Sequence, residues 1–330
     1  MKNEYSVMKV TASVLVVAGH VFIFFSNIGG VVPMQNNSVL DYIMRFIYSF
    51  HMPLFMFVSG AVYHRCILAG KYKEIPKFVV KKFRRLMIPY LFWGICWVTP
   101  VMVLLGFTEQ SPLKYIVEGI LLCRNSRHLW FLWALFFVSF GFRLLRTVVE
   151  RGKVWRFLLL TIFLILWYIS WNLTDMLAIN SIMRYLLWYY LGYLFDREKT
   201  QIDHIIEKAA WRAVVVFIIT VLIIIIYIQT GNNLWTGLVA AGAGIMLCYS
   251  FAWLVKGKIC DKTIYCVLER DCFGIYLVHP MIIYFCFYYL RDIMQNPYIV
   301  SALVILFALV ISGIITEILR KIRFQIVLGE

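Results

Sequence analysis

Acidic side chains are scarce in this 330-residue chain, with 17 Asp and Glu against 32 Lys and Arg, and charged residues of every kind make up only 15%. A soluble domain carries about a quarter charged residues, so soluble enzymes, nucleic-acid binders and disordered scaffolds are poor fits. No two of the eight cysteines form a CxxC pair. Neither a disulfide framework nor a zinc site is expected, and no metal is called for. No internal repeat of the inverted-transporter kind stands out. No loop is long enough to hold a soluble catalytic domain, so any chemistry has to use residues within or at the edge of a membrane. Asp and Glu are also missing from the middle of every apolar block, which argues against a proton-coupled pump.

What is present is apolar: 62% of the residues are hydrophobic. They fall into blocks of about 15–22, the length that crosses a hydrocarbon core of roughly 30 Å at 1.5 Å per residue. The expected fold is all-α, a polytopic membrane bundle forming one domain over 1–330. Ten spans are expected at 5–25, 43–63, 86–106, 129–145, 154–171, 184–195, 211–229, 234–255, 273–290 and 298–318. The stretch 111–123 reads as a short amphipathic or re-entrant piece. Alternating the connections puts 26 of the 32 Lys and Arg on the side of both termini. That side is cytoplasmic by the positive-inside rule. The net charge of +15 is therefore explained by topology, without nucleic acid. The first block has no small-residue cleavage site after it and reads as a span that stays.

Ionisable groups inside spans are functional candidates. His20 lies about 22 Å along the first span, in its outer half. Imidazole suits a general base near neutral pH, and Gly19 beside it leaves room for close approach. A histidine bonded to a neighbouring helix is the plainer reading. Lys9 lies three turns towards the cytoplasm, where it either snorkels or meets an anion. His51 sits roughly 12 Å below the outer surface, near the depth of His20. Pro53 frees a backbone carbonyl one turn before it. His279, before Pro280, is expected about 9 Å from the cytoplasmic end of its span. Lys77, Lys81, Lys82, Arg84 and Arg85 crowd the inner edge of the third span, where they suit phosphates or anionic lipid heads. Asp41, Glu109, Glu118, Asp175 and Asp292 are the outer carboxylates available to orient a histidine.

In order along the chain, these positions resemble the membrane-bound acyltransferase-3 family, closest to its single-domain, fucose-4-O-acetylase-like branch. The segment from Phe50 to Gly60, which contains Ser59, looks like that family's second helix. Val16 to His20, Arg85 to Tyr90, His128-Leu129-Trp130-Phe131-Leu132, Leu191-Gly192-Tyr193 and Ile275 to Pro280, with Tyr276 and His279, add to the resemblance. It implies that Lys9 and His20 form the family's signature of a basic residue, ten intervening residues and a catalytic histidine. It implies that Lys82 and Arg85, with Arg84 between them, face an acyl-CoA donor, most simply acetyl-CoA. Many relatives carry Arg at the first position of each pair, where this chain has Lys. A point charge thus replaces a bidentate grip.

The implied reaction is O-acetylation of a glycan or lipid-linked sugar at the outer face of a bacterial inner membrane, with His20 as base. An acyl-histidine is the chemical alternative. With no fused esterase-like domain of the kind larger relatives carry in these 330 residues, the expectation is that the chain acts alone or with separate glycan-assembly proteins. Trp130, Trp133, Trp171 and Trp188 are candidates to stack on sugars, with interfacial anchoring the simpler role. The competing readings are a glycan or acyl-group flippase and a non-catalytic ligand-binding module.

Overall fold

The computed structural model describes residues 4–26, 36–124, 126–200, 203, 210–229, 233–290 and 296–330, with backbone alone for 210–217. Among these residues there are helices and no strands. The helices are α1 (Glu4–Phe22), α2 (Ser38–Leu68), α3 (Ile75–Leu104), α4 (112–121), α5 (Trp130–Glu150), α6 (Lys153–Ile169), α7 (Ile179–Arg197), α8 (Ala210–Gln229), α9 (Leu234–Ile259), α10 (Thr263–Leu290) and α11 (Pro297–Lys321). Every expected apolar block is helical, and α4 is the expected short extra piece. Eight of the described helices are long and apolar enough to cross a bilayer. Helix α7 is less apolar because it carries Asn180, Ser181, Arg184 and Asp196, and α8 shows a shorter apolar stretch, Ile218–Gln229. The architecture is a polytopic helical membrane bundle.

The chain divides into two compact units, each assembled from separated segments. The first comprises Met1–Val58 and Glu198–Ile318. At its centre α1 packs against α9 and α10. Helices α1 and α10 run parallel in constant register. Ser6 bonds the Tyr265 hydroxyl, Lys9 Nζ donates to the Glu269 carbonyl, and His20 meets His279, at sequence separations of 259, 260 and 259. Helix α9 runs the other way, because its end returns to the start of α1. Glu4 pairs with Lys256 at 2.6 Å and with Lys199 at 3.1 Å. The Tyr249 ring lies 6.4 Å from that of Tyr5. Parallel α1 and α10 with antiparallel α9 agree with the alternation that the Lys/Arg distribution requires.

The second unit comprises Ser59–Arg197 and Leu319–Glu330. Here α7 packs on α5 and α6. Gly60 lies so close to the Tyr189 carbonyl that any Cβ at position 60 would overlap it. Small residues allow this kind of backbone approach between membrane helices. Tyr63, Phe142, Tyr189 and Tyr193 form an aromatic core, with ring centroids 5.1–6.3 Å apart. Beside them the buried Asp196 accepts from His64 Nδ1 and Arg65 Nε, both at 2.8 Å.

Helix α3 contains two wide turns, at Phe83–Met87 and Gly94–Val98, in which an N–H reaches the carbonyl five residues back. Each closes just before a proline, Pro89 or Pro100. Proline has no N–H for the fourth carbonyl back, and the widened turn carries the ladder past that defect. The closing segment 325–328 folds onto α3. Trp93 Nε1 donates to the Val327 carbonyl at 2.8 Å, and Val327 and Leu328 are buried.

Candidate active site

Lys9, His20, His51, Tyr276 and His279 fall in the first unit. His20 and His279 form the closest pair, with Nδ1 of His20 2.9 Å from Nε2 of His279 and ring centroids 5.1 Å apart. His279 is fully buried, whereas His20 keeps partial exposure. Nδ1 of His279 lies 2.8 Å from the Ile275 carbonyl one turn back. His51 does the same on α2, with Nδ1 3.0 Å from the Ile47 carbonyl. The Tyr48 ring joins the group, 4.7 Å from His51 and edge-on to His20 at 6.4 Å. A Cβ on Gly19 would come within 2.9 Å of the Tyr48 ring. Glycine there lets the tyrosine lie against α1. Tyr276 stands 6.3 Å from His279, ring to ring.

The meeting of His20 with His279 departs from the depth expected for His279. The ninth apolar block reads as starting at 273, but α10 starts at Thr263. Its first ten residues include Glu269, Arg270 and Asp271, so hydropathy alone cuts the helix short. With those turns restored, His279 lies about 24 Å along α10, level with His20. The carboxylates expected to orient a histidine lie elsewhere. Asp41 bonds Ser26 and pairs with Arg45 at 2.7 Å, Glu118 takes Gln110, and Asp292 lies outside the described residues.

Lys9 is eleven residues before His20. That is a rise of about 16 Å and a rotation within about 20° of three full turns, so both side chains leave one face of α1. The Lys9 ammonium donates to the Glu269 carbonyl at 3.3 Å.

The second unit holds the basic cluster. A cavity of about 620 Å³ is lined by Lys77, Lys81, Arg84 and Arg85 from α3, together with Gly329 and Glu330. Positions 77, 81, 84 and 85 recur at helical spacing and make one cationic face. Lys82 is turned away from that lining. Its ammonium lies 6.0 Å from the Tyr72 ring and 5.8 Å from the Phe78 ring. Lys81 also sits over Tyr72, at 5.7 Å. Burial pushes the Tyr72 phenol up to about 12, so it stays neutral beneath these cations at physiological pH. Glu330 is paired with Arg320 at 2.5 Å.

At the other end of the same unit, His128 is buried in the short turn Arg127–Leu129. Trp130 stacks on Tyr185 at 5.2 Å, and the Arg184 guanidinium covers Trp171 at 3.7 Å. Trp133 Nε1 donates to the Leu177 carbonyl at 2.9 Å. Trp188 is buried in the packing of its own unit. Ser59 is half-buried on α2. No cluster of three or more metal-ligating side chains occurs among the described residues.

Asp196 lies in the last turn of α7, where an acid reads from sequence as interfacial. The signal available was His64-Arg65 at the end of α2, two donors in need of an acceptor.

A family model described as an acyltransferase domain matches residues 3–317. Nodulation protein NolL of Mesorhizobium japonicum is 28% identical over 180 residues, covering 54% of this chain and 44% of that protein. The chain thus matches less than half the length of this relative. No solved structure matches.

Proposed function

The chain belongs to this acyltransferase family, and from that premise we propose that it transfers an acetyl group from cytoplasmic acetyl-CoA to a hydroxyl of a glycan or lipid-linked sugar at the outer face of a bacterial inner membrane. The observation that carries the reading is the partly exposed His20, supported by a second histidine inside the membrane and aligned on one helix face with Lys9 about 16 Å below. A pantetheine arm spans on the order of 15–20 Å by chain-reach arithmetic. A donor whose anionic end lies at the level of Lys9 therefore brings its thioester to the level of His20. Lys77, Lys81, Arg84 and Arg85 supply charge-assisted donors for phosphates. His20 takes the proton of the acceptor hydroxyl as that oxygen attacks the thioester carbonyl. The carbon–oxygen bond forms, the carbon–sulfur bond breaks, and the proton passes from His20 to the departing thiolate.

The test uses purified protein in nanodiscs with acetyl-CoA labelled in the acetyl group and a panel of saccharide and lipid-linked acceptors. Label moving onto an acceptor hydroxyl, absent with His20→Ala, is the expected result. Movement of an unmodified glycan across proteoliposomes without label transfer would instead favour the flippase reading.

A further inference from the structure

We propose that His279 is a positioning residue that fixes the tautomer of His20, so that the proton acceptor of the reaction is Nε2 of His20. This rests on the reading of His20 as the base and adds which atom acts and what holds it.

The assignment follows from counting protons along a short chain of bonds. The Ile275 carbonyl can only accept, so Nδ1 of His279, 2.8 Å away, carries a hydrogen. A neutral imidazole has one N–H. Nε2 of His279 is then a lone pair, and the hydrogen in its 2.9 Å contact with His20 belongs to Nδ1 of His20. That leaves Nε2 of His20 as the ring nitrogen without hydrogen. A backbone carbonyl on α10 thus sets the protonation pattern of two side chains.

The local sequence builds this arrangement. A histidine inside a helix reaches the carbonyl one turn back, and Pro280 immediately after it loosens the ladder at that point. The constant register of α1 and α10 brings position 20 level with position 279. Burial holds the His279 ring still, while His20 keeps the exposure a reacting group needs. His51 forms the same one-turn contact on α2, but its ring faces Tyr48.

During transfer, His20 Nε2 gains the hydroxyl proton while Nδ1–H stays bonded to His279. The imidazolium then returns the Nε2 proton to the sulfur. His279 neither gains nor loses a proton. It accepts from His20 throughout and favours the cationic ring without placing a carboxylate in the membrane.

The experiment compares wild type, His279→Leu and His279→Gln in nanodiscs. Leucine removes the acceptor, whereas glutamine returns an amide oxygen close to the position of Nε2. His279→Leu should lower kcat for acetyl transfer by about ten- to a hundredfold, with the donor KM within about twofold, and His279→Gln should recover most of the loss. In parallel, ¹⁵N spectra of histidine-labelled protein, with only six histidines to assign, report tautomers without turnover. His20, identified through His20→Gln, should be Nδ1–H in wild type and a mixture in His279→Leu. Finding wild-type His20 protonated at Nε2, or equal losses in the leucine and glutamine variants at unchanged donor KM, overturns the proposal. If His20→Gln keeps full turnover, the base reading falls instead, and the spectra still decide the tautomer.

Discussion

Removing the cations of the α3 cavity tests where the donor's phosphates go. Lys81 and Arg84 line the cavity of about 620 Å³ but are largely solvent-exposed. A charge-assisted hydrogen bond contributes about 1.5–3 kcal/mol when well shielded. Solvent and salt screen exposed pairs to about 1 kcal/mol or less. With about 1 kcal/mol for each side chain, Lys81→Ala and Arg84→Ala each raise the acetyl-CoA KM roughly fivefold, and the double variant raises it roughly thirtyfold. The Lys82 ammonium lies over Tyr72 and Phe78, outside the cavity lining, so Lys82→Ala costs less than either. The assay is steady-state CoA release with acetyl-CoA and with acetyl-pantetheine, which lacks the phosphates. The KM penalties should vanish with acetyl-pantetheine and shrink as salt is raised. Equal penalties with both donors would refute the reasoning, because the cations would then act on something other than phosphate.

Other consequences follow from packing. Gly60→Ala forces α2 and α7 apart at the Tyr189 carbonyl and should lower the apparent melting temperature by several degrees or more, whereas Gly141→Ala, with open space around its Cβ position, should leave it equal or higher. Asp196→Asn leaves Arg65 without its buried carboxylate and should cost about 3–5 kcal/mol, seen as a clear loss of thermal stability in detergent. Glu330→Gln removes negative charge from the lining of the basic cavity and should lower the acetyl-CoA KM by about twofold, with kcat unchanged.

The order and character of the helices were legible in the sequence because hydropathy is a local property and the bilayer sets a length. The parallel and antiparallel neighbours of α1 also agree with the alternation of spans read from Lys and Arg. Lateral packing was less legible. His20 and His51 were expected at one depth, whereas His279 was misplaced because the charged first turns of α10 hide the start of the helix. The motif pairs Lys82 with Arg85; Arg85 lines the cavity with Arg84, whereas Lys81 rather than Lys82 joins them, the Lys82 ammonium lying over the Tyr72 and Phe78 rings. Asp196 escaped because a buried acid at a helix end looks like an interfacial one until its partners on α2 are known.

The most direct test of the account is CoA release from acetyl-CoA by the purified, folded protein in the presence of saccharide acceptors, with wild type and His20→Ala side by side. The account predicts acceptor-dependent release in wild type and its loss by at least a hundredfold in His20→Ala, with acetyl-CoA binding retained. Undiminished release by a folded His20→Ala protein, or no binding of acetyl-CoA by wild type, would contradict it.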